Sequence, residues 1–337
     1  MAWGWLAIWL LAGLALGGLG TWLARGYALR RELIDQPGER RSHVHATPRG
    51  GGISIVLVLL LAMLALALRA PAHATVLALA GTGLLLVAGI GWIDDHRPLS
   101  AALRLVVHVL AAGLLCFGLW QAGAGIPDLA TAFVAVVVLV NVWNFMDGIN
   151  GIAASQAALV AATYAVFAAQ GPVLWLGLAL AAAACGFLPF NFPRARIFLG
   201  DVGSGALGYA LAGLLAMSSL RADAATRMLL LMPLLPFLLD ASLTLSSRIL
   251  RRERWWQPHT QHAYQAWARR RGHGRVTVAY ACAAILVSLS AFAMRSSGAA
   301  VIMVSYVMFL ALGGMAWMLL RGGSVDRKPD TLGDGNH

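Results

Sequence analysis

The chain has 337 residues, 60% of them hydrophobic and only 12% charged, about half the charged share usual for a soluble domain. That much apolar surface cannot be hidden in one water-soluble core, so lipid must solvate much of it. The net charge of +11 is almost wholly arginine, and no segment is long enough for a basic soluble domain; this argues against nucleic acid and for anionic lipid or anionic substrates.

A transmembrane helix needs about 20 apolar residues. The first such run, 3–24, is too long for a signal-peptide core, and its basic residues Arg25, Arg30 and Arg31 follow it rather than precede it. It reads as a retained span with its N-terminus outside. Ten more follow at 51–68, 75–93, 101–120, 129–145, 152–170, 172–190, 204–220, 226–246, 276–294 and 299–320. The expected fold class is therefore an all-α polytopic membrane protein of about eleven transmembrane helices. Residues 1–321 are expected to form a single integral-membrane domain, and the polar 322–337 tail is expected to be disordered and cytoplasmic. With the N-terminus outside, all but four of the 25 Lys and Arg (Arg69, Arg221, Arg227 and Arg295) fall on the cytoplasmic side. Cys116, Cys185 and Cys282 stand singly in apolar runs, without disulfide or metal spacing.

The unusual polar sequence all falls on that cytoplasmic side. The first loop carries Asp35, His43, His45, Arg49 and the run Gly50-Gly51-Gly52. Three glycines before a helix give either a flexible lead-in or backbone N–H groups that approach an anion, and Arg49 tilts the reading toward phosphate. The second loop opens on Asp94-Asp95-His96-Arg97. Adjacent carboxylates repel, and a divalent cation or a cationic partner relieves both; taken alone, the pair reads as a solvated helix end partnered by Arg97 and Arg104.

In the third feature, Asn141, Asn144 and Asp147 recur at i, i+3 and i+6 and so share a helix face. Interhelical hydrogen bonding would explain the asparagines, but a carboxylate at the membrane boundary favours function. The fourth loop, from Asn191 through Arg194, Arg196, Phe198, Gly200 and Asp201 to Gly205, combines glycines, a helix start and basic residues, the makings of an anion cradle. Asp201 adds a hard oxygen ligand for Mg²⁺. Phe198 by itself reads as a core aromatic. The fifth loop has His259 and His262 near Arg254, a set suited to pyrophosphate oxygens. Zinc is disfavoured, because no cysteine or third close ligand accompanies the pair. Asp240, inside the ninth span, either pairs with Arg248 or orients the cytoplasmic site.

These motifs, in this order, resemble the polyprenyl-phosphate N-acetylhexosamine-1-phosphate transferase family over about residues 35–265. Pro48-Arg49-Gly50-Gly51-Gly52, Asp94-Asp95, the run from Asn141 to Gly151 and the run from Phe198 to Ser204 carry the likeness. The resemblance implies that a polyprenyl phosphate, undecaprenyl phosphate in bacteria, attacks the β-phosphorus of a UDP-N-acetyl sugar and releases UMP. It implies dependence on Mg²⁺, with Mn²⁺ as a substitute, at the cytoplasmic face of the bacterial inner membrane. Carried over by motif position, Asp94, Asp95, Asp147 and Asp201 would be catalytic, with Asp201 and Asp147 on the metal. Asn144, Asn191, Phe198, His45 and Arg49 would bind the UDP-sugar, with Phe198 stacking on uracil. Arg196, His259 and His262 would bind the pyrophosphate. His96-Arg97 stands where the peptidoglycan enzyme has a lysine after its Asp-Asp pair, and the His motif differs too, so the chain looks closer to the O-antigen-initiating branch. An oligomer is compatible with this reading. The rival is a transporter or lipid flippase coupled through Asp240 or Asp147, which calls for charges at mid-membrane and two related halves; no repeat of the Asp-rich motifs is visible.

Overall fold

The structure is a computed structural model that describes residues 2–36, 46–254 and 259–322. His45 and the tail beyond 322 lie outside the described residues. Apart from a two-residue ribbon, β1 (Ile34–Asp35) paired antiparallel with β2 (Thr47–Pro48), the regular structure is helical. The helices are α1 (Ala2–Arg30), α2 (Ile53–Arg69), α3 (Ala74–His96), α4 (Ala101–Gln121), α5 (Ile126–Met146), α6 (Ile152–Ala168) and α7 (Gly171–Asn191). After them come α8 (Asp201–Ser218), α9 (Ala224–Leu231), α10 (Leu235–Leu250), α11 (Ala263–Arg271), α12 (His273–Ala293) and α13 (Ala299–Gly322).

Eight helical segments among the described residues are long and apolar enough to cross a membrane, and α2 and α6 are shorter apolar helices. The chain is a multi-pass membrane protein. Each expected span has a helical counterpart, but the ninth is bent: a 3₁₀ turn at Met232–Leu234 separates α9 from α10. Pro233 removes a backbone donor there and breaks the helical ladder. The polar helix α11 was not expected.

Helix α8 is the hub. Nearly all of its residues are buried, and it packs against both α3 and α5. Small residues permit the approach, as is usual where lipid offers no hydrophobic drive between helices. A Cβ on Gly208 would come within 2.3 Å of the Leu139 carbonyl oxygen of α5, and one on Gly91 within 2.4 Å of the Asp201 carbonyl oxygen. These contacts bring the C-terminal ends of α3 and α5 to the N-terminal end of α8. The opposite end of α5 has its own charge cluster: Asp128 accepts from Arg227 and from the Arg221 backbone N–H. That cluster is self-paired and serves packing.

Candidate active site

The Asp94-Asp95, Asp147 and Asp201 motifs converge at one end of the bundle, at the last turns of α3 and α5 and the first turn of α8. Arg104, on the first turn of α4, links two of them. One of its terminal nitrogens donates to Asp94 at 2.9 Å and to Asp201 at 3.0 Å. Asn144 donates its amide to the other Asp201 oxygen at 3.0 Å and to the Ser204 hydroxyl at 3.2 Å. The i, i+3 spacing from Asn144 to Asp147 therefore puts one residue on Asp201 while the other closes the helix. Asn141 instead bonds back to the Val137 carbonyl of its own helix at 2.7 Å.

Asp95 is built differently from its neighbour. Its side chain is 3% exposed, and its two oxygens accept the backbone N–H groups of Asp201 at 3.0 Å and Val202 at 3.1 Å. The carboxylate thus occupies the N-terminus of α8, where free N–H groups and the helix dipole favour an anion. Gly200 makes room for it: its φ is +73°, and a Cβ there would stand 2.5 Å from Asp95 Oδ2. Only glycine suits that conformation and that space. The sequence suggested an anion cradle for phosphate at this helix start; the structure fills it with the protein's own carboxylate.

The Gly50–Gly52 run also departs from expectation. Gly51 and Gly52 donate their N–H groups to the carbonyls of Phe198 and Leu199, both at 2.9 Å, and the Phe198 N–H donates to the Pro48 carbonyl at 2.8 Å. A Cβ on Gly52 would lie 2.1 Å from the Gly203 Cα. These glycines let two backbone segments touch, so the N–H groups of Gly51 and Gly52 are not free for a ligand. Arg49, next to them, donates to the Asp95 backbone carbonyl, and its Nε is 3.9 Å from an Asp95 carboxylate oxygen.

Asn191 is 3% exposed. It accepts from the Gly151 N–H at 2.6 Å and donates to the Ile197 carbonyl at 2.9 Å. Both ends of its amide hold loops together, so it braces the 151 and 197 loops. Phe198 is half-buried. Arg196 is exposed, donates to the Pro189 carbonyl at 2.5 Å and lies over the Phe190 ring. His259 stacks on His262 with ring centroids 4.9 Å apart. Burial, with His262 and Arg248 nearby, pushes His259 down to about 4, so it is neutral at pH 7. Any contact it makes with a phosphate is by a neutral N–H donor.

Asp147 closes α5 and is half-buried, and among the described residues its carboxylate has no hydrogen-bond or ion-pair partner. Burial, then the charges of Asp201 and Asp95, raise its pKa well above the usual carboxylate range. Asp201, at the first residue of α8, is pushed up to about 7 by desolvation and by its carboxylate neighbours, against the pull of Arg104. Its side chain is still one-third exposed. Four acidic side chains thus face mainly two arginines, Arg49 and Arg104. The site is partly dry and short of positive charge.

Comparison with known proteins bears on this cluster. Residues 76–219 match the model of glycosyl transferase family 4. The matched segment is similar to that family over 144 residues. It contains Asp94, Asp95, Arg104, Asn144, Asp147 and Asp201. Among curated relatives, the chain is 29% identical to the probable undecaprenyl-phosphate N-acetylglucosaminyl 1-phosphate transferase of Bacillus subtilis, over 57% of each chain. It is 31% identical to the decaprenyl-phosphate N-acetylglucosaminephosphotransferase of Mycolicibacterium smegmatis, over 60% of this chain and 59% of the relative. It is 35% identical to the phospho-N-acetylmuramoyl-pentapeptide-transferase of a Synechococcus strain, over 61% of this chain and 64% of the relative. The chain therefore spans about three fifths of the length of the curated relatives it matches.

Proposed function

We propose that this protein transfers an N-acetylated sugar 1-phosphate from a UDP-sugar to a polyprenyl phosphate, undecaprenyl phosphate in a bacterial inner membrane, releasing UMP. The product would begin a lipid-linked surface glycan such as O-antigen. The observation that carries the reading is the acidic cluster at one end of the bundle, with Asp147 unpaired beside Asp201. The relatives' names, which pair a polyprenyl phosphate with N-acetylglucosamine phosphate transfer, support it. The skew of arginines toward one end favours the cytoplasmic face and eleven spans with the N-terminus outside.

The donor set fits Mg²⁺. Among the described residues no three acidic, histidine or cysteine side chains form a ready-made metal cage. Mg²⁺ does not require one, since it is usually held by one or two carboxylates together with water and substrate phosphates. Asp201 and Asp147 would hold it, and when bound it would neutralise the diphosphate and polarise the β-phosphorus. Mn²⁺ has the same oxygen preference and would substitute.

The protein's own residues then have an electrostatic and positioning task. Two anions, a lipid phosphate and a sugar diphosphate, must meet near low-dielectric lipid, where their repulsion is severe. Arg104 holds Asp94 and Asp201 at a fixed separation, and Asn144 turns the second Asp201 oxygen. Asp94 is the carboxylate best placed to face the incoming lipid phosphate. A phosphate monoester is already mostly dianionic near pH 7, so a strong base is not required. Phe198, half-buried at the loop edge, offers a ring for the uracil; Arg196 and the exposed side of the His259 pair border the diphosphate. Arg49, tied to Asp95, borders the donor side.

A transporter would need its carboxylates at mid-membrane; here the unpaired one lies at the bundle's end. The test incubates purified protein with undecaprenyl phosphate, Mg²⁺ and a panel of UDP-N-acetyl sugars. A polyprenyl-diphosphate sugar from one member of the panel is expected, and it names the sugar. No lipid product from any member overturns the proposal.

A further inference from the structure

Asp240 lies on α10, and no step above uses it. Its side chain is 3% exposed, yet both oxygens are fully engaged. Oδ1 accepts from the Ala263 N–H at 2.8 Å and the Thr244 hydroxyl at 3.2 Å. Oδ2 accepts from the Tyr264 N–H at 2.9 Å and the Tyr280 hydroxyl at 2.7 Å. The two backbone donors open α11, so Asp240 caps that helix from another one, 23 residues earlier in sequence. Arg248, the partner the sequence suggested, pairs with Glu253 at 2.9 Å.

What α11 touches gives the cap its meaning. The Tyr264 hydroxyl donates to the Phe145 carbonyl, in the last turn of α5, at 2.9 Å. Gly148, next to Asp147, packs so closely on that hydroxyl that a Cβ would lie 2.2 Å away. His262, the residue before α11, is 3% exposed. Its Nδ1 is 3.6 Å from Asp240 Oδ1, and its ring faces Phe145 on one side and His259 on another. One run of contacts leads from Asp240 through Ala263 and Tyr264 to the turn that carries Asp147.

We propose that Asp240 is a positioning residue: by capping α11 it holds Tyr264 and the His259–His262 pair against the 145–148 turn, and so fixes Asp147 and the histidine border of the site together. A merely structural carboxylate would cross-link α10 to α12 through Tyr280 with no effect beyond them. The catalytic consequence rests on the proposed transfer reaction; the mechanical coupling does not.

The test uses the full chain in lipid nanodiscs and the isosteric change Asp240→Asn, read by amide hydrogen exchange and by UMP release. Exchange is expected to quicken about tenfold at 263–266 and at 145–150 alike, with α2 and α3 unchanged. In the same variant, kcat falls by about tenfold or more while the protein remains folded. Faster exchange confined to 263–266 with kcat unchanged overturns the proposal. Should Asp240→Asn not fold, Tyr264→Phe deletes only the hydroxyl that bridges to Phe145. It is expected to quicken exchange at 145–150 and lower kcat, and no change in either overturns the link. A wild-type protein that releases no UMP defeats the transfer reading instead, and the exchange data still decide the coupling.

Discussion

Asp95 and Asp147 are both acidic residues of the same cluster, yet the structure gives them opposite thermodynamic signs. Replacing Asp95 with alanine strips the cap from α8, leaving the N–H groups of Asp201 and Val202, now at 3.0 and 3.1 Å from its oxygens, without partners. Each orphaned donor costs about 1–3 kcal/mol, whereas burial, which raises the Asp95 pKa, offsets part of what its charge contributes at the helix dipole. For the two donors together a net loss of about 3–5 kcal/mol is expected. Asp95→Asn keeps one acceptor and should lose roughly half of that. Among the described residues Asp147 has no partner to lose, and burial beside Asp201 and Asp95 already disfavours its charge. Asp147→Asn should leave stability unchanged or raise it by up to ~1 kcal/mol, while activity disappears. Thermal unfolding of the metal-free protein in one detergent measures both. Asp95→Ala should melt at least about 5 °C below wild type, and Asp147→Asn at or above it. Equal losses in the two variants, or a wild-type melting point for Asp95→Ala, would refute the division into brace and ligand.

Gly200→Ala forces a side chain onto a backbone with φ of +73° and within 2.5 Å of Asp95 Oδ2; it should sharply reduce monodisperse protein on size exclusion, whereas Gly213→Ala, with nothing within 4 Å of its Cβ, should not. Asp201, raised to about 7, makes the metal-free protein lose stability as pH rises from the ordinary carboxylate range to about 7, since over that window the folded state holds the proton and the unfolded state does not; the upward shift of Asp147 acts in the same direction. Added Mg²⁺ should therefore raise the melting point more at pH 8 than at pH 6, and equal shifts at both would remove these carboxylates from the metal. Phe198→Ala should raise the KM for the UDP-sugar with little change in kcat; an unchanged KM would return Phe198 to a packing role.

Much of this was legible in the sequence. The apolar runs foretold the helices, because a span exposed to lipid declares itself by composition. The ninth span read as continuous, and the structure interrupts it at Pro233, between α9 and α10. Helix α11 was hidden: it is short, ends on three arginines and is capped from another helix by Asp240, a contact that local spacing does not show. The acidic motifs come together in space, but their partition among partners was not readable. Asp95 braces a helix start 106 residues away, and local spacing says nothing about which of two adjacent carboxylates will reach it. The same holds for Asn191, whose polar character suggested a ligand contact while its partners are the Gly151 and Ile197 backbones. The glycines of 50–52 were read as freedom for an anion; they serve contact between backbones. Local patterns thus picked out the polar clusters, and long-range packing decided which of their residues are already engaged.

The most direct test of the account compares UMP release by wild type and by Asp201→Asn, each folded, given undecaprenyl phosphate and the preferred UDP-N-acetyl sugar with Mg²⁺ or with chelator. Wild type with Mg²⁺ should release UMP, while the chelated enzyme and the variant should fall by about a hundredfold or more. Turnover in Asp201→Asn near the wild-type rate, or turnover indifferent to the chelator, would contradict it.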